Sequence, residues 1–348
     1  MFDLKQEARE IAASEDIDWE ALVGASVLIT GATGLVGSAC ARALLERNRI
    51  FGSGIRVLTL VRDAEKARRV LEGYGSEDGL VLVVGDVETV SADACAADYV
   101  IHAACPTASK FFMEHPVETA NAIVGGTVNM LNNARANRVK SFVYVSSMEV
   151  YGDGNAAPGL DHLLDEHEVG FCDPLSVRSC YPEGKRMAEQ YCMAYAAEYG
   201  VPAKVARLAQ TFGPGIPKDD KRIFAMIARS ALAGEDVVLR TTGASTRMYV
   251  YTADAVRGLL TVLLRGEAGC AYNVANPGTY SSVRSMAETV AASCARAPME
   301  VRVKVDPNSP YPPEHHLPLD VSRLESLGWK PQVGLEEMYR NLMAYLEG

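Results

Sequence analysis

This 348-residue sequence lacks both long apolar runs and an excess of basic residues. No segment is apolar over the length that spans a bilayer, and residues 1–18 are charged and helical in pattern, without the apolar core of a signal peptide. The 34 basic residues are outnumbered by 44 acidic ones, and the net charge of −10 argues against general binding of nucleic acid or anionic membranes. We therefore expect a cytoplasmic protein without nucleic-acid or membrane partners. The net charge does not exclude binding of small anionic ligands, because local basic groups determine such binding.

Paired cysteines and metal-binding spacings are also absent. The eight cysteines are scattered singly, with no C-x-x-C pair and no His/Cys spacing of the kind that binds a metal. We interpret them as buried or incidental thiols in a reducing compartment and expect no metal. The sequence has no repeats or low-complexity tracts, and its 48% of hydrophobic residues allow a substantial core.

Apolar runs alternate with helical stretches between residues 26 and 207. The apolar runs are 26–30, 55–61, 80–84, 98–102, 141–146 and 203–207, and the helical stretches are 35–47, 64–72, 115–137 and 183–199. This alternation is typical of right-handed βαβ units around a parallel sheet that is covered on both faces. The predicted fold class is α/β, a doubly wound parallel sheet followed by a smaller C-terminal α/β lobe.

The chain is predicted to divide into three parts. Residues 1–25 form a helical extension, 26–207 a dinucleotide-binding domain of Rossmann type, and 208–348 a substrate-binding lobe. Gly and Pro are denser in that lobe, and a loop is expected at 307–318. The boundary at 207 is soft, and we leave open that a part such as 248–265 returns to pack on the first domain.

A glycine motif follows the first apolar run. It reads Gly31-Ala-Thr33-Gly34-Leu35-Val36-Gly37 and precedes a helical stretch, so strand, glycine turn and helix come in the order that gives the motif meaning. The first glycines allow a tight turn and close approach to a pyrophosphate, the last allows close helix–strand packing, and the helix N-terminus favours an anion. A tight turn without a ligand is the alternative.

The ends of the next three apolar runs supply further candidate cofactor residues. Arg62 and Asp63 stand where an acidic residue often holds the adenosine ribose. Arg62 favours the 2′-phosphate of NADP, whereas Asp63 could reach the ribose of NAD, and local evidence leaves both open. Asp86 and Val87 follow the third run, and Ala103 and Ala104, small enough for close backbone approach, end the fourth after His102, which we interpret as a packed or capping residue.

Four polar residues carry the predicted chemistry. Tyr181 and Lys185 are four residues apart at a helix start, and this spacing places a phenol and an ammonium on one face. Because a nearby cation favours the phenolate, Tyr181 is a candidate base. Ser147 and Glu149 end the fifth run, and ligands bind beyond the carboxyl ends of parallel strands. A half-buried tyrosine beside a surface lysine, with a capping serine, is the plainer alternative.

Several motifs together resemble those of extended short-chain dehydrogenases/reductases, in the sugar-nucleotide epimerase/dehydratase branch. They are Thr-Gly-Ala-Thr-Gly-Leu-Val-Gly (30–37), Ser-Ser-Met-Glu-Val-Tyr-Gly-Asp (146–153), Tyr-Pro-Glu-Gly-Lys (181–185), Thr-Phe-Gly-Pro (211–214) and Tyr-Asn-Val-Ala-Asn-Pro (272–277). Cys-Tyr-Pro-Glu-Gly-Lys-Arg (180–186), His-Pro-Val-Glu-Thr (115–119) and Gly-Thr-Val-Asn-Met-Leu (126–131) are most similar to UDP-glucuronate decarboxylases.

The resemblance implies specific roles. Ser147, Tyr181 and Lys185 would form the catalytic trio, Glu149 would be an additional acid/base, and Arg247 would contact an anionic group of the substrate. It further implies transient oxidation at C4 of a nucleotide sugar by bound NAD(P), followed by decarboxylation. A 4-epimerase, a 4-ketoreductase and a non-enzymatic NAD(P)-binding sensor are the alternatives, and a homodimer through 115–137 and 183–199 is expected by analogy.

The sequence also departs from the branch. Met148 replaces the aspartate of the dehydratases, which argues against dehydration, and Gln210 stands where an asparagine would contact the diphosphate. Ile123 replaces another asparagine, and the segment 238–243 differs from the usual one near the nucleobase. The base of the substrate is therefore not predicted.

Overall fold

The computed structural model describes residues 2–153, 157–306 and 314–348. Its strands are β1 (Ser26–Thr30), β2 (Arg56–Val61), β3 (Leu80–Val84), β4 (Tyr99–His102), β5 (Ser141–Ser147), β6 (Ala203–Leu208), β7 (Gln210–Phe212), β8 (Val237–Leu239), β9 (Thr246–Tyr251), β10 (Ala271–Val274), β11 (Asn276–Ser282), β12 (Val301–Val303) and β13 (His316–Leu317). Its helices are α1 (Leu4–Ala12), α2 (Leu35–Phe51), α3 (Ala64–Val70), α4 (Ser109–Glu114), α5 (Pro116–Ala120), α6 (Gly126–Asn137), α7 (Cys180–Tyr199), α8 (Ile223–Ala233), α9 (Thr252–Arg265), α10 (Val283–Ser293), α11 (Ser322–Glu325) and α12 (Leu335–Glu347).

A seven-stranded parallel sheet forms the centre of the protein. Its order is β10-β6-β5-β4-β1-β2-β3, and all six predicted apolar runs become strands of it. The strand order reverses between β1 and β4, which leaves a crevice at the carboxyl ends of these two strands. The predicted Rossmann-like α/β fold is confirmed.

Both faces of the sheet are buried. Val27 and Ile29 of β1 belong to one apolar cluster, together with residues of α2 and α9, whereas Leu28 belongs to a second cluster with residues of α6 and α7. Since successive side chains of a strand point to opposite faces, the unbroken apolar run of β1 serves both layers. This arrangement holds the end of β1, and the glycine turn after it, in a fixed position.

The helical stretch predicted at 115–137 is not a single α helix. It begins as α5, continues as a π turn at Asn121–Gly125, and ends as α6. Ile123 of the π turn is buried and packs against Gly184 of α7, where a Cβ would lie 3.4 Å from the Ile123 side chain. Helix α7 itself begins at Cys180, three residues before the predicted start, and so includes Tyr181.

Part of the predicted C-terminal lobe joins the central sheet. Strand β10 pairs with β6, and α9 packs against β5 and β6. A second sheet contains β11, β9 and β13, with β7 paired to β9, and β12 pairs with β8. The division of the chain at 207 stays a prediction.

The predicted loop at 307–318 is described only in part. Residues 307–313 lie outside the described residues, and residues 316 and 317 form β13 beside β9. Within the described parts of the chain, the search for membrane-spanning helices finds none of sufficient length and apolarity.

Candidate active site

The glycine turn lies directly against the end of β4. Gly31 has a φ of 69°, in the left-handed region, and a Cβ on it would lie 2.7 Å from the carbonyl oxygen of Ala103 and 2.9 Å from the Cα of Ala104. A Cβ on Gly37 would lie 2.4 Å from the Gly31 oxygen. Only glycine fits these two positions, because the strand, the turn and the helix approach one another through backbone atoms alone.

The same turn fits the pyrophosphate of a dinucleotide. Gly34 is the N-cap of α2, has no side chain to cap the helix, and leads into Leu35 and Val36 of the first turn. A Cβ on Gly34 would meet only the Gly31 oxygen, at 3.3 Å, so the backbone here faces a largely open side. The N–H groups and dipole of a 17-residue helix favour an anion at this end. Thr33, in the turn itself, is half-buried.

Sequence reasoning missed Thr30, which joins the turn to β4. Its hydroxyl accepts hydrogen bonds from the backbone N–H groups of Ala103 and Ala104 at 3.1 and 3.0 Å, and it contacts His102 Nδ1 at 2.8 Å. The other ring nitrogen of His102 lies 3.1 Å from the Thr127 hydroxyl. Burial, with a smaller effect of Lys185, lowers the pKa of His102 to about 3. His102 is therefore a neutral, packed residue, as expected.

The remaining predicted cofactor residues have different surroundings. Asp63 is the N-cap of α3, and its carboxylate accepts the N–H of Lys66 at 2.9 Å, while Arg62 is exposed at the end of β2. Asp86 is half-buried and accepts the N–H of Glu88 at 2.9 Å.

Val87 packs towards α6 through its side chain. It is buried, and one of its methyl groups lies 2.8 Å from the position of a Cβ on Gly126. Its side chain therefore contributes to packing, and any contact with a ligand would come from its backbone. The predicted roles of these residues stay predictions.

Ser147, Tyr181 and Lys185 converge at the end of β5. Ser147 is the last residue of that strand, and its side chain lies close enough to the Tyr181 phenol to lower the pKa of that phenol. Lys185 Nζ donates to the Val145 carbonyl oxygen at 2.8 Å and lies 5.8 Å from the centre of the Tyr181 ring. The Tyr181 ring stacks on Phe112, with 4.4 Å between the ring centres. The phenol is thereby held in one orientation beside the serine and the ammonium.

Burial dominates the electrostatics of Tyr181. It raises the pKa of the phenol well above 10, and Cys105 and Glu149 raise it further. The Ser147 side chain and the positive charge of Arg178 lower the pKa of the phenol. Sequence reasoning looked only to Lys185 for the cation beside the phenol and did not single out Arg178.

Glu149 and Arg178 form a two-pronged ion pair next to this phenol. Arg178 Nη1 and Nη2 donate to the two carboxylate oxygens of Glu149 at 2.9 and 3.0 Å. Glu149 lies in the 3₁₀ turn that follows Ser147, and Arg178 lies in another 3₁₀ turn just before α7. No spacing in the sequence indicates this pair, because the two residues stand 29 positions apart in the chain and the fold brings them together.

Gln210 and Arg247 lie in the second sheet. Gln210 is the first residue of β7, two residues beyond Leu208, which pairs with Ser147. Arg247, in β9, contacts His315 Nε2 through Nη2 at 3.2 Å, and its buried Nε has no hydrogen-bond partner in the described part of the chain. The structure thus groups Ser147, Glu149, Tyr181 and Lys185, with Gln210 at the same end of the central sheet.

The fold, the glycine turn and the Ser/Tyr/Lys group define an extended short-chain dehydrogenase/reductase. More narrowly, the chain belongs to the NAD-dependent epimerase/dehydratase family, whose family model matches residues 27–275. The family recognised from the sequence motifs is confirmed.

Comparison with known proteins gives similar sequences and structures. The chain is 33% identical over 324 residues to UDP-glucuronic acid decarboxylase 6 of Arabidopsis thaliana, covering 89% of this chain and 85% of that protein. It is 30% identical over 322 residues to UDP-glucuronic acid decarboxylase 1 of Xenopus tropicalis, covering 92% and 71%. The solved structure of the UDP-glucose 4-epimerase of Thermus thermophilus in complex with NAD superposes with a TM-score of 0.75 at 25% identity, covering 93% and 99% of the two chains.

Proposed function

We propose that the protein is a UDP-glucuronate decarboxylase that works through transient oxidation of the sugar at C4. The observation that carries the proposal is the grouping of Ser147, Tyr181 and Lys185 at the end of β5, beside the glycine turn. The similarity to UDP-glucuronic acid decarboxylases over about nine tenths of the chain supports this substrate. NADP stays an alternative cofactor to NAD because Arg62 is exposed where the adenosine ribose is expected.

The chain's own residues would hold the cofactor as follows. The backbone of residues 31–37 and the N-terminus of α2 would bind the pyrophosphate, and Lys185 would bind the nicotinamide ribose. Bound NAD would supply a hydride acceptor for C4 and later return the hydride. The backbone of Ala103 and Ala104, held by Thr30, would form the opposite wall of the crevice.

The proton chemistry would belong to the chain. Tyr181 Oη would take the proton of the sugar 4-hydroxyl while Ser147 Oγ orients that hydroxyl, and such transfer contributes roughly 10²–10⁴-fold to the rate. With a ketone at C4, the sugar carboxylate lies β to a carbonyl, so its bond to C5 breaks and carbon dioxide leaves. Glu149 would act as the acid/base group for the proton that C5 gains after carbon dioxide leaves. Gln210 and Arg247 would bind anionic groups of the substrate.

The test is to incubate the purified protein with UDP-glucuronate and NAD and to follow the nucleotide sugar by mass spectrometry. We expect a product lighter by one carbon dioxide. A product of unchanged mass but different retention would indicate 4-epimerisation, and unchanged substrate with intact NAD binding would indicate a sensor.

Tyr181→Phe is expected to abolish this turnover. The variant keeps the ring that stacks on Phe112 but loses the hydroxyl that would take the proton, so NAD binding should stay close to wild type. Calorimetric titration with NAD is the control for folding and cofactor binding. Full activity in this variant would remove Tyr181 from the mechanism.

We also propose a homodimer in the cytoplasm. Val117 of α5, Met187 of α7 and Tyr199 at the end of α7 are exposed apolar side chains on the two helical stretches expected to pair. The eight cysteines are all free thiols in the structure, which suits a reducing compartment. Light scattering on wild type and Val117→Glu would test the dimer, because a charge on this exposed apolar surface should favour the monomer.

A further inference from the structure

The ion pair between Glu149 and Arg178 has no role in the proposed chemistry beyond the proton that Glu149 would move. We propose that Arg178 is a positioning residue of this site, which fixes the orientation of the Glu149 carboxylate and offsets its negative charge beside Tyr181. The inference rests on the proposed function, because it assigns Tyr181 and Glu149 their roles.

The geometry of the pair constrains Glu149 strongly. Two parallel N–H···O bonds, at 2.9 and 3.0 Å, set both the position and the rotation of the carboxylate plane. A lysine at this position could offer one point charge but not the planar fork. The backbone N–H of Glu149 is also bonded to Ser147 Oγ at 3.2 Å, so the carboxylate is fixed relative to the strand end that carries the serine.

Arg178 is itself held close to α7. It lies in the 3₁₀ turn Val177–Ser179, and the Ser179 hydroxyl in that turn donates to the Asp173 carbonyl oxygen at 2.5 Å. Tyr181 follows only three residues later, in the first turn of α7. The pair therefore connects the segment after β5 to the segment before α7, and these are the two segments that bring Ser147 and Tyr181 together.

The charges around the Tyr181 phenol explain why the pairing of Arg178 with Glu149 would affect proton transfer. The groups that face Tyr181 are Cys105 from the segment after β4, Ser147 and Glu149 from the end of β5, Tyr144 from β5, Arg178 from the turn before α7, and Lys185 from α7. Glu149 raises the pKa of Tyr181, and Arg178 lowers it. Without Arg178, an unpaired carboxylate would remain beside a buried phenol that has to lose its proton.

The experiment compares the pH dependence of sugar oxidation in four proteins. These are wild type, Arg178→Gln, Arg178→Lys and the double variant Arg178→Gln/Glu149→Gln. Single-turnover absorbance of reduced nicotinamide after mixing with UDP-glucuronate reports the first hydride transfer. Arg340→Gln is the matched control, because Arg340 forms an exposed pair with Glu336 on α12 at 2.8 Å.

We expect the acidic limb of the rate profile to move to higher pH in Arg178→Gln, and less in Arg178→Lys. A shift of one pH unit would lower the rate about tenfold at any pH below the limb. In the double variant the limb should return towards its wild-type position, although the rate stays low because Glu149 is missing. The dissociation constant for NAD should be unchanged in all variants, as a measure of folding that does not depend on turnover.

Two results would overturn the inference. One is an unchanged limb in Arg178→Gln with intact NAD binding, and the other is a shift that the second substitution does not reverse. If wild type fails to reduce NAD with UDP-glucuronate, the proposed function fails instead. Wild type, Arg178→Gln, the double variant and the single variant Glu149→Gln then form a double-mutant cycle on thermal unfolding, in which zero coupling between Arg178 and Glu149 would refute the pairing itself.

Discussion

Replacing Gly31 with alanine is expected to damage both the fold around the glycine turn and the binding of NAD. Gly31 has a φ of 69°, and an alanine in the left-handed region costs about 1–2 kcal/mol. The new Cβ would also lie 2.7 Å from the Ala103 oxygen and 2.9 Å from the Ala104 Cα. Both contacts are with backbone atoms that Thr30 holds in place, so the strain of overpacking, about 1–3 kcal/mol, adds to the first cost.

Gly52→Ala is the matched control for this variant. Gly52 ends α2 with a φ of 63°, almost the same as that of Gly31, but a Cβ on it would meet nothing within 4 Å. It therefore carries the backbone strain without the steric overlap. The difference between the two variants isolates the contact between the turn and the end of β4.

The measurements are urea unfolding and calorimetric titration with NAD. Gly31→Ala should lose about 2–5 kcal/mol of unfolding free energy, against about 1–2 kcal/mol for Gly52→Ala. NAD affinity should fall at least about tenfold in Gly31→Ala alone. A displaced turn would lose about 1.4 kcal/mol or more of the binding free energy for NAD, and about 1.4 kcal/mol corresponds to a tenfold change in the dissociation constant. Equal stability and equal affinity in the two variants would refute the argument that close backbone approach requires this glycine.

Two further predictions concern buried charges. Burial raises the pKa of Glu7 from 4.5 to about 7, so the folded protein keeps a proton that the unfolded chain has released. The contribution of Glu7 to stability should fall by about 3 kcal/mol as the pH rises from about 4.5 to about 7. Glu7→Gln should remove this pH dependence of stability in thermal unfolding. Glu10→Gln, at an exposed position of the same helix, should keep it. Glu189→Gln should cost up to about 3–5 kcal/mol of unfolding free energy in urea, because its buried partner Arg207, at 2.7 Å, would keep an uncompensated charge. Glu288→Gln, in an exposed ion pair, should cost about 1 kcal/mol or less. Equal losses in the two variants would contradict the reasoning.

Features that depend on neighbouring residues in the chain could be predicted from the sequence. Each of the six apolar runs forms a strand, although β3, at the edge of the sheet, is only partly buried. The spacing of Tyr181 and Lys185 was informative because a helix fixes the relation between residues four apart, and α7 includes both. The glycine motif was informative for the same reason, since it spans a single turn between β1 and α2.

Features that depend on distant contacts were missed. Thr30 joins the glycine turn to residues more than 70 positions away, and β10 enters the central sheet after a second sheet has begun. The π turn at Asn121–Gly125 accommodates the packing of Ile123 on α7, which periodicity within 115–137 does not reveal. In each case the partner lies in another element, so no local pattern carries the information.

The pKa of Tyr181 is another property that local sequence patterns do not predict. Sequence spacing attributed the acidity of the phenol to Lys185, yet burial is the largest influence on its pKa and acts in the opposite direction. Lys185 directs its ammonium to the Val145 oxygen and lies closer to the ring of Tyr144 than to that of Tyr181. The groups that oppose burial, Ser147 and Arg178, come from two other segments. A motif can therefore predict which residue is the base, but only the fold determines how readily that residue loses its proton.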